Sequence, residues 1–145
     1  MSGTHKPRIL LIEDNPGDSL LFRLALSDAG VDCEIAELND GGAALEFVRT
    51  QAGPPPDLIV LDLNLPKASG KEILAAIRAT PVFKPVPVVI WTSSNARSDR
   101  THVENLGVTS YLVKPPQLSD LAPLGAAIRG ILDDCAPASR SCQAH

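Results

Sequence analysis

Short unbroken apolar runs constrain this chain more than any other feature of its sequence. Residues 9–12 read Ile-Leu-Leu-Ile, 58–61 Leu-Ile-Val-Leu and 88–91 Val-Val-Ile-Trp. A strand with one wet face alternates polar and apolar residues, whereas runs like these suit strands covered on both faces. Two further segments complete the set: 110–113, and 34–38, a weaker strand with Ile35 and Leu38 apolar. Amphipathic stretches separate them. In 18–29, Leu20, Leu21, Leu24 and Ala25 recur at helical spacing, and Gly30 is placed to end the helix. In 41–49, Ala44, Leu45 and Val48 share one side. Ser69 can cap a helix running to about Thr80, with Ile73, Leu74 and Ile77 on its apolar face. Ser98 can cap a short polar helix to about Asn105, closed by Gly107, and Ser119 opens a last helix to about Leu132. Pro123 lacks an N–H and crowds the preceding turn, so that helix starts late or bends there. Five strands alternating with five helices predict an α/β fold, a doubly wound five-stranded parallel sheet.

The 145 residues fit one domain. Folding at this size buries roughly 68–70% of the surface of the unfolded chain, enough for a core without disulfides. The expected division is an N-terminal tail at 1–7, the domain at 8–132, and a polar C-terminal tail at 133–145. A net charge of −4, with no run of Lys and Arg, argues against direct nucleic-acid binding. No apolar run approaches the ~20 residues of a membrane span, and residues 1–8 lack a signal-peptide pattern. A cytoplasmic protein is the expectation. Cys33, Cys135 and Cys142 form an odd set without zinc-site spacing and read as ordinary reduced thiols. His5, His102 and His145 suggest no role.

In an open parallel sheet, ligands bind beyond the carboxyl ends of the strands. Glu13 and Asp14 follow the first strand, Asp62 and Asn64 the third, Thr92 the fourth and Lys114 the fifth. Taken singly, each has an ordinary explanation as a turn former, cap or solvated side chain. Together they bring three carboxylates, a hydroxyl and an ammonium to one edge. Two carboxylates 4 Å apart repel by ~4 kcal/mol at an effective dielectric near 20. Lys114 offsets one negative charge, and a divalent cation would offset the other two. Oxygen donors of this kind suit Mg2+, which often bridges carboxylates to a phosphate. An ionised aspartate is a nucleophile that needs no base. It needs a metal, a lysine and a hydroxyl for the incoming phosphoryl charge.

These segments resemble the receiver domain of two-component response regulators. The matching text is Ile-Leu-Leu-Ile-Glu-Asp-Asn at 9–15, Leu-Ile-Val-Leu-Asp-Leu-Asn-Leu-Pro at 58–66 with Gly70 following, Val-Val-Ile-Trp-Thr-Ser-Ser at 88–94, and Tyr-Leu-Val-Lys-Pro at 111–115. The Glu-Asp-Asn-Pro-Gly-Asp opening and the Leu-Asn-Leu-Pro-Lys segment look most like stand-alone receivers associated with bacterial phytochromes. The resemblance implies a flavodoxin-like (βα)5 fold with strand order 2-1-3-4-5. It implies that Asp62 accepts a phosphoryl group from a sensor histidine kinase. Mg2+ would be bound by Asp14 and Asp62, by the backbone carbonyl of Asn64, and by Glu13 through a water. Lys114 would contact the phosphoryl oxygens, Thr92 would turn to hydrogen-bond them, and Tyr111 would swing inward when Thr92 moves. A cis Lys114–Pro115 peptide is implied as well. Trp91 stands where the family usually has an aliphatic residue.

Other functions fit less well. A phosphatase of the haloacid dehalogenase type would carry a second aspartate where this chain has Asn64, and would need a cap domain. A degenerate receiver would lack the acceptor or an acidic partner. No Gly-x-Gly-x-x-Gly follows any strand, which disfavours a dinucleotide site. The expected protein is a switch and not an enzyme, with at most self-phosphorylation from small donors and self-dephosphorylation. Its output would be a protein contact through the fourth helix, fifth strand and last helix. A two-fold homodimer through that face is one form, because Leu121, Leu124, Ala127, Ile128, Ile131 and Leu132 exceed one narrow apolar stripe.

Overall fold

The computed structural model describes residues 6–51, 53–94, 96–114 and 121–141, with side chains of the last segment as far as Asp133. Its elements are β1 (Arg8–Ile12), α1 (Pro16–Asp28), β2 (Glu34–Leu38), α2 (Gly41–Thr50), β3 (Leu58–Leu61), α3 (Gly70–Ala79), β4 (Val88–Thr92), α4 (Arg97–Asn105), β5 (Ser110–Val113) and α5 (Ala122–Ser141). The five strands are parallel, in the order β2-β1-β3-β4-β5. The central strands β3 and β4 are buried along their whole length, as their unbroken apolar runs require.

Side-chain alternation divides the core into two layers. Ile9, Leu11, Leu58, Val60, Val89 and Trp91 pack with Phe22, Ala25 and Leu26 of α1 and with Leu124, Ile128 and Leu132 of α5. Leu10, Ile12, Ile59, Leu61, Val88 and Ile90 pack on the other face against α2, α3 and α4. The same alternation continues past the strand ends. Glu13, Asp62 and Lys114 are in phase with the α1/α5 layer. Thr92 is in phase with Ile90 on the opposite face, where Tyr111 also packs.

Several expectations need correction. The buried face of α1 is Ser19, Phe22, Ala25 and Leu26, while Leu20 and Leu24 are exposed. Residues 20–26 are apolar at all but one position, so two faces look alike in sequence. Contact between Phe22 and Trp91, with ring centroids 5.9 Å apart, fixes the phase. Helix α1 begins at Pro16, because the Asn15 side chain accepts from the N–H groups of Gly17 and Asp18. Ser98 is not a cap. Helix α4 begins at Arg97 with Ala96 as an N-cap that makes no side-chain bond. Helix α5 starts at Ala122, with Pro123 in its first turn, and runs to Ser141 and not to Leu132. Polarity alone does not end a helix. Ser119 and the Lys114–Pro115 peptide lie outside the described residues.

Candidate functional site

Three strand ends build the site, and backbone hydrogen bonds fix their register. Glu13 N–H donates to the Leu38 carbonyl at 3.1 Å, Asp62 N–H to Ile12 at 3.1 Å, and Lys114 N–H to Thr92 at 2.7 Å. Glu13 and Asp62 are almost wholly buried, at 1% and 5% exposure, while Asp14 is exposed. Carboxylate oxygens of Glu13, Asp14 and Asp62 lie within 4.8 Å of one another. Three hard oxygen donors, one open to solvent, form a set that fits a small divalent cation with water in its remaining positions.

Lys114 gathers the cluster. Its Nζ donates to Glu13 Oε1 at 2.7 Å, to Asp18 Oδ2 at 2.8 Å and to Asp62 Oδ2 at 3.0 Å. The ammonium also lies 4.9 Å from the centroid of the Trp91 ring. The second oxygen of Asp62 accepts from Asn64 N–H at 3.1 Å, and the second oxygen of Glu13 from Asn15 N–H at 3.2 Å. Burial pushes the Glu13 carboxyl up to about 7, assisted by the Asp62 charge and opposed by Lys114. The hydrogen bonds from Lys114 to Asp18 and Glu13, and the charge of Asp62, hold its ammonium above the ordinary lysine range against desolvation. Lys114 is therefore charged throughout the physiological range.

Thr92 is fully buried, and its hydroxyl oxygen accepts from Ser94 N–H at 3.3 Å. Tyr111 lies inward: its hydroxyl donates to the Ser94 carbonyl at 2.9 Å, with the Arg100 guanidinium 5.1 Å from its ring centroid. Ser94 Oγ also donates to Asp99 at 2.6 Å, and Asp99 pairs with Lys71 of α3. The Lys71 and Ser94 hydrogen bonds hold the Asp99 carboxyl below its usual range.

The structure thus brings Glu13, Asp14, Asp62 and Lys114 together, with Asn64 bonded to Asp62. Thr92 and Tyr111 share the loop of Ser94. Sequence reasoning missed Asp18, the Trp91 contact and the Lys71–Asp99–Ser94 chain. A signal for Asp18 existed. Asn15 as N-cap and Pro16 as first helical residue place Asp18 in the first turn, level with the strand ends.

Residues 9–124 match the response regulator receiver domain. Response regulator Rcp1 of Synechocystis sp. is 43% identical over 117 residues, which span 78% of this chain and 80% of Rcp1. A solved structure of Mn2+-bound Rcp1 superposes with a TM-score of 0.77 at 39% identity, over 86% of this chain and 92% of that one. The phosphorylated cyanobacterial phytochrome response regulator RcpA gives 0.75 at 35% identity, over 90% and 94%. The receiver domain of a Pseudomonas aeruginosa sensor histidine kinase, with magnesium coordinated in its active-site cleft, gives 0.69 at 27%, over 92% and 99%. On the extent of the sequence match and the shared fold, this chain belongs to the response regulator receiver family.

Proposed function

We propose that this chain is a phosphorylation switch in which Asp62 takes a phosphoryl group from the phosphohistidine of a sensor histidine kinase. The observation that carries this reading is the setting of Asp62: a buried carboxylate, 3.0 Å from Lys114, within one acidic cluster with Glu13 and Asp14. An Asp62 oxygen attacks phosphorus, the P–N bond breaks, and the histidine nitrogen keeps the electron pair. The N–H of Lys114 now bonded to Asp62 is placed to follow the charge onto a phosphoryl oxygen. The Thr92 hydroxyl, whose oxygen accepts from Ser94 N–H, turns to donate its O–H to a phosphoryl oxygen, and Tyr111, tied to the same residue, responds to that movement.

Asp14 and Asp62 would hold Mg2+ through carboxylates, Asn64 through its backbone carbonyl, and Glu13 through a water. The ion would supply neutralising charge to the phosphoryl oxygens. Magnesium in one related receiver and Mn2+ in Rcp1 support this assignment. The phosphorylated state of RcpA supports phosphorylation, and the pairing of RcpA with a phytochrome supports a phytochrome as the kinase. Mg2+-dependent labelling of the protein by phosphoramidate, and then by the candidate kinase, tests the proposal. A wild-type protein that takes no phosphoryl group from either overturns it.

The raised Glu13 carboxyl sets a pH dependence. Below about pH 7 the metal-free protein holds a proton there, which a cation must displace. Mg2+ binding should strengthen roughly tenfold from pH 6 to pH 8 and release about half a proton at pH 7. Calorimetry in two buffers of different ionisation enthalpy measures both. Release of no proton, with a flat affinity profile, contradicts it.

The receiver proper is 8–132, and it acts in the cytoplasm; no helix among the described residues is long and apolar enough to cross a membrane. Its output is a protein contact through α4, β5 and α5, the face bordered by Tyr111. Val113 of β5 is exposed there, and Ile131 is only partly buried. A two-fold homodimer through this face should appear in sedimentation of the wild type and be lost in Ile131→Glu. A wild type that remains monomeric at high concentration with beryllofluoride refutes it.

A further inference from the structure

An ammonium has three N–H donors, and in this protein all three are committed to carboxylates: Glu13, Asp18 and Asp62. Asp62 is the phosphoacceptor and Glu13 belongs to the acidic cluster beside it, which leaves Asp18 as the one partner without a part in the transfer. Aspartate in the first turn of a helix ordinarily faces the helix dipole from solvent. Asp18 instead turns its side chain inward across 96 residues of sequence, with 16% exposure. The Asn15 cap and Pro16 fix its backbone. The ammonium also lies over the Trp91 ring, 4.9 Å from its centroid, and that ring packs against Phe22 of the same helix as Asp18.

We propose that Asp18 is a positioning residue for phosphoryl transfer: with Glu13 and the Trp91 face, it anchors Lys114 so that the remaining N–H is held on Asp62. The inference rests on the reading of Asp62 as phosphoacceptor. When Asp62 gives its charge to the acyl phosphate, the two anchors persist, and only the third N–H moves. Without Asp18, the flexible lysine side chain swings among Glu13, Asp14 and Asp62, and its donor is no longer preorganised at the reacting oxygen. This also accounts for an indole at position 91: it offers the ammonium a face that an aliphatic residue lacks.

Electrostatics without positioning makes the opposite prediction, which gives the test its edge. Removing a carboxylate from an acidic cluster should by itself favour an anionic donor. The full chain would be labelled with phosphoramidate and Mg2+, and beryllofluoride affinity measured, for wild type, Asp18→Ala and Asp18→Asn. Asp18→Ala should lower both the labelling rate and the affinity about tenfold, as removal of an outer partner typically does. Asp18→Asn, which keeps an oxygen acceptor, should recover part of each. In a Lys114→Met background, Asp18→Ala should produce no further loss of beryllofluoride affinity, because Asp18 acts through that ammonium. Unchanged or faster labelling of Asp18→Ala overturns the proposal, as does a loss of the same size in the Lys114→Met background. Wild type that is not labelled at all overturns the phosphoacceptor reading and this inference with it.

Discussion

Asp62→Asn should reduce Mg2+-dependent labelling by at least about a thousandfold and leave the fold intact. A carboxamide is a far weaker nucleophile than an ionised carboxylate, and no neighbour is placed to substitute. Glu13 is buried and bonded to Lys114 and to Asn15 N–H, and Asp14 is exposed at the rim. The fold should tolerate the change. Asn has nearly the same shape, and its oxygen can still accept from Asn64 N–H, the bond that shapes the loop after β3. Removing one charge also relieves repulsion within the cluster, where a carboxylate pair at 4 Å costs ~4 kcal/mol at an effective dielectric near 20. Lys114 loses one of three partners and keeps two. The melting temperature of the metal-free variant should equal or exceed that of wild type. Acid-labile phosphate, counted on the protein by mass spectrometry after phosphoramidate treatment, decides the matter. Undiminished labelling of the variant would move the acceptor elsewhere.

The fold was legible where one physical effect dominated. Continuous aliphatic runs of four, bounded by turn signals, suit strands covered on both faces, and β3 and β4 are buried throughout. The helix from Ser69 was equally plain. Its capping box forms, with Ser69 bonding Glu72 N–H and Glu72 bonding Ser69 N–H. Sequence failed where two solutions were nearly equal. The apolar stretch of α1 supports either of two faces, and the choice falls to Phe22 only when Trp91 and α5 are present to receive it. Ser98 had the right chemistry for a cap, but the loop after β4 is held instead by Ser94 and Asp99, and the helix begins two residues earlier than expected. The site shows the same division. Strand ends carry Glu13, Asp62 and Lys114 to one edge by parity alone, which a sequence states directly. Asp18 comes from a helix, and its approach depends on how α1 tilts over the sheet. Composition and spacing are silent on that tilt.

The second large effect is expected at Gly70, which sets how closely α3 approaches the acceptor loop. Gly70 N–H donates to the Leu63 carbonyl at 3.1 Å, so the first turn of α3 rests directly on the backbone after Asp62. A Cβ at residue 70 would lie 2.4 Å from the Asp62 carbonyl oxygen and 2.7 Å from the Leu63 Cα. Both are backbone atoms, so no side-chain rotation relieves the clash. The capping box of Ser69 and Glu72 pins the helix end, and Ile73, Leu74 and Ile77 anchor the rest of it in the core. The strain must therefore fall on the loop that carries Asp62 and Asn64. Gly70→Ala should cost about 3 kcal/mol of stability, the upper range for overpacking. It should also weaken Mg2+ binding and labelling, because the acceptor carboxylate and the Asn64 carbonyl move with the loop. Gly130→Ala provides the contrast. That residue lies within α5, and among the described residues nothing outside its own helix backbone comes within 4 Å of an added Cβ, so alanine should stabilise by ~0.5–1 kcal/mol through helix propensity alone. Denaturant unfolding of both variants, with labelling of each, measures the pair. Native stability and native labelling in Gly70→Ala would mean that α3 does not press on the acceptor loop as the structure has it.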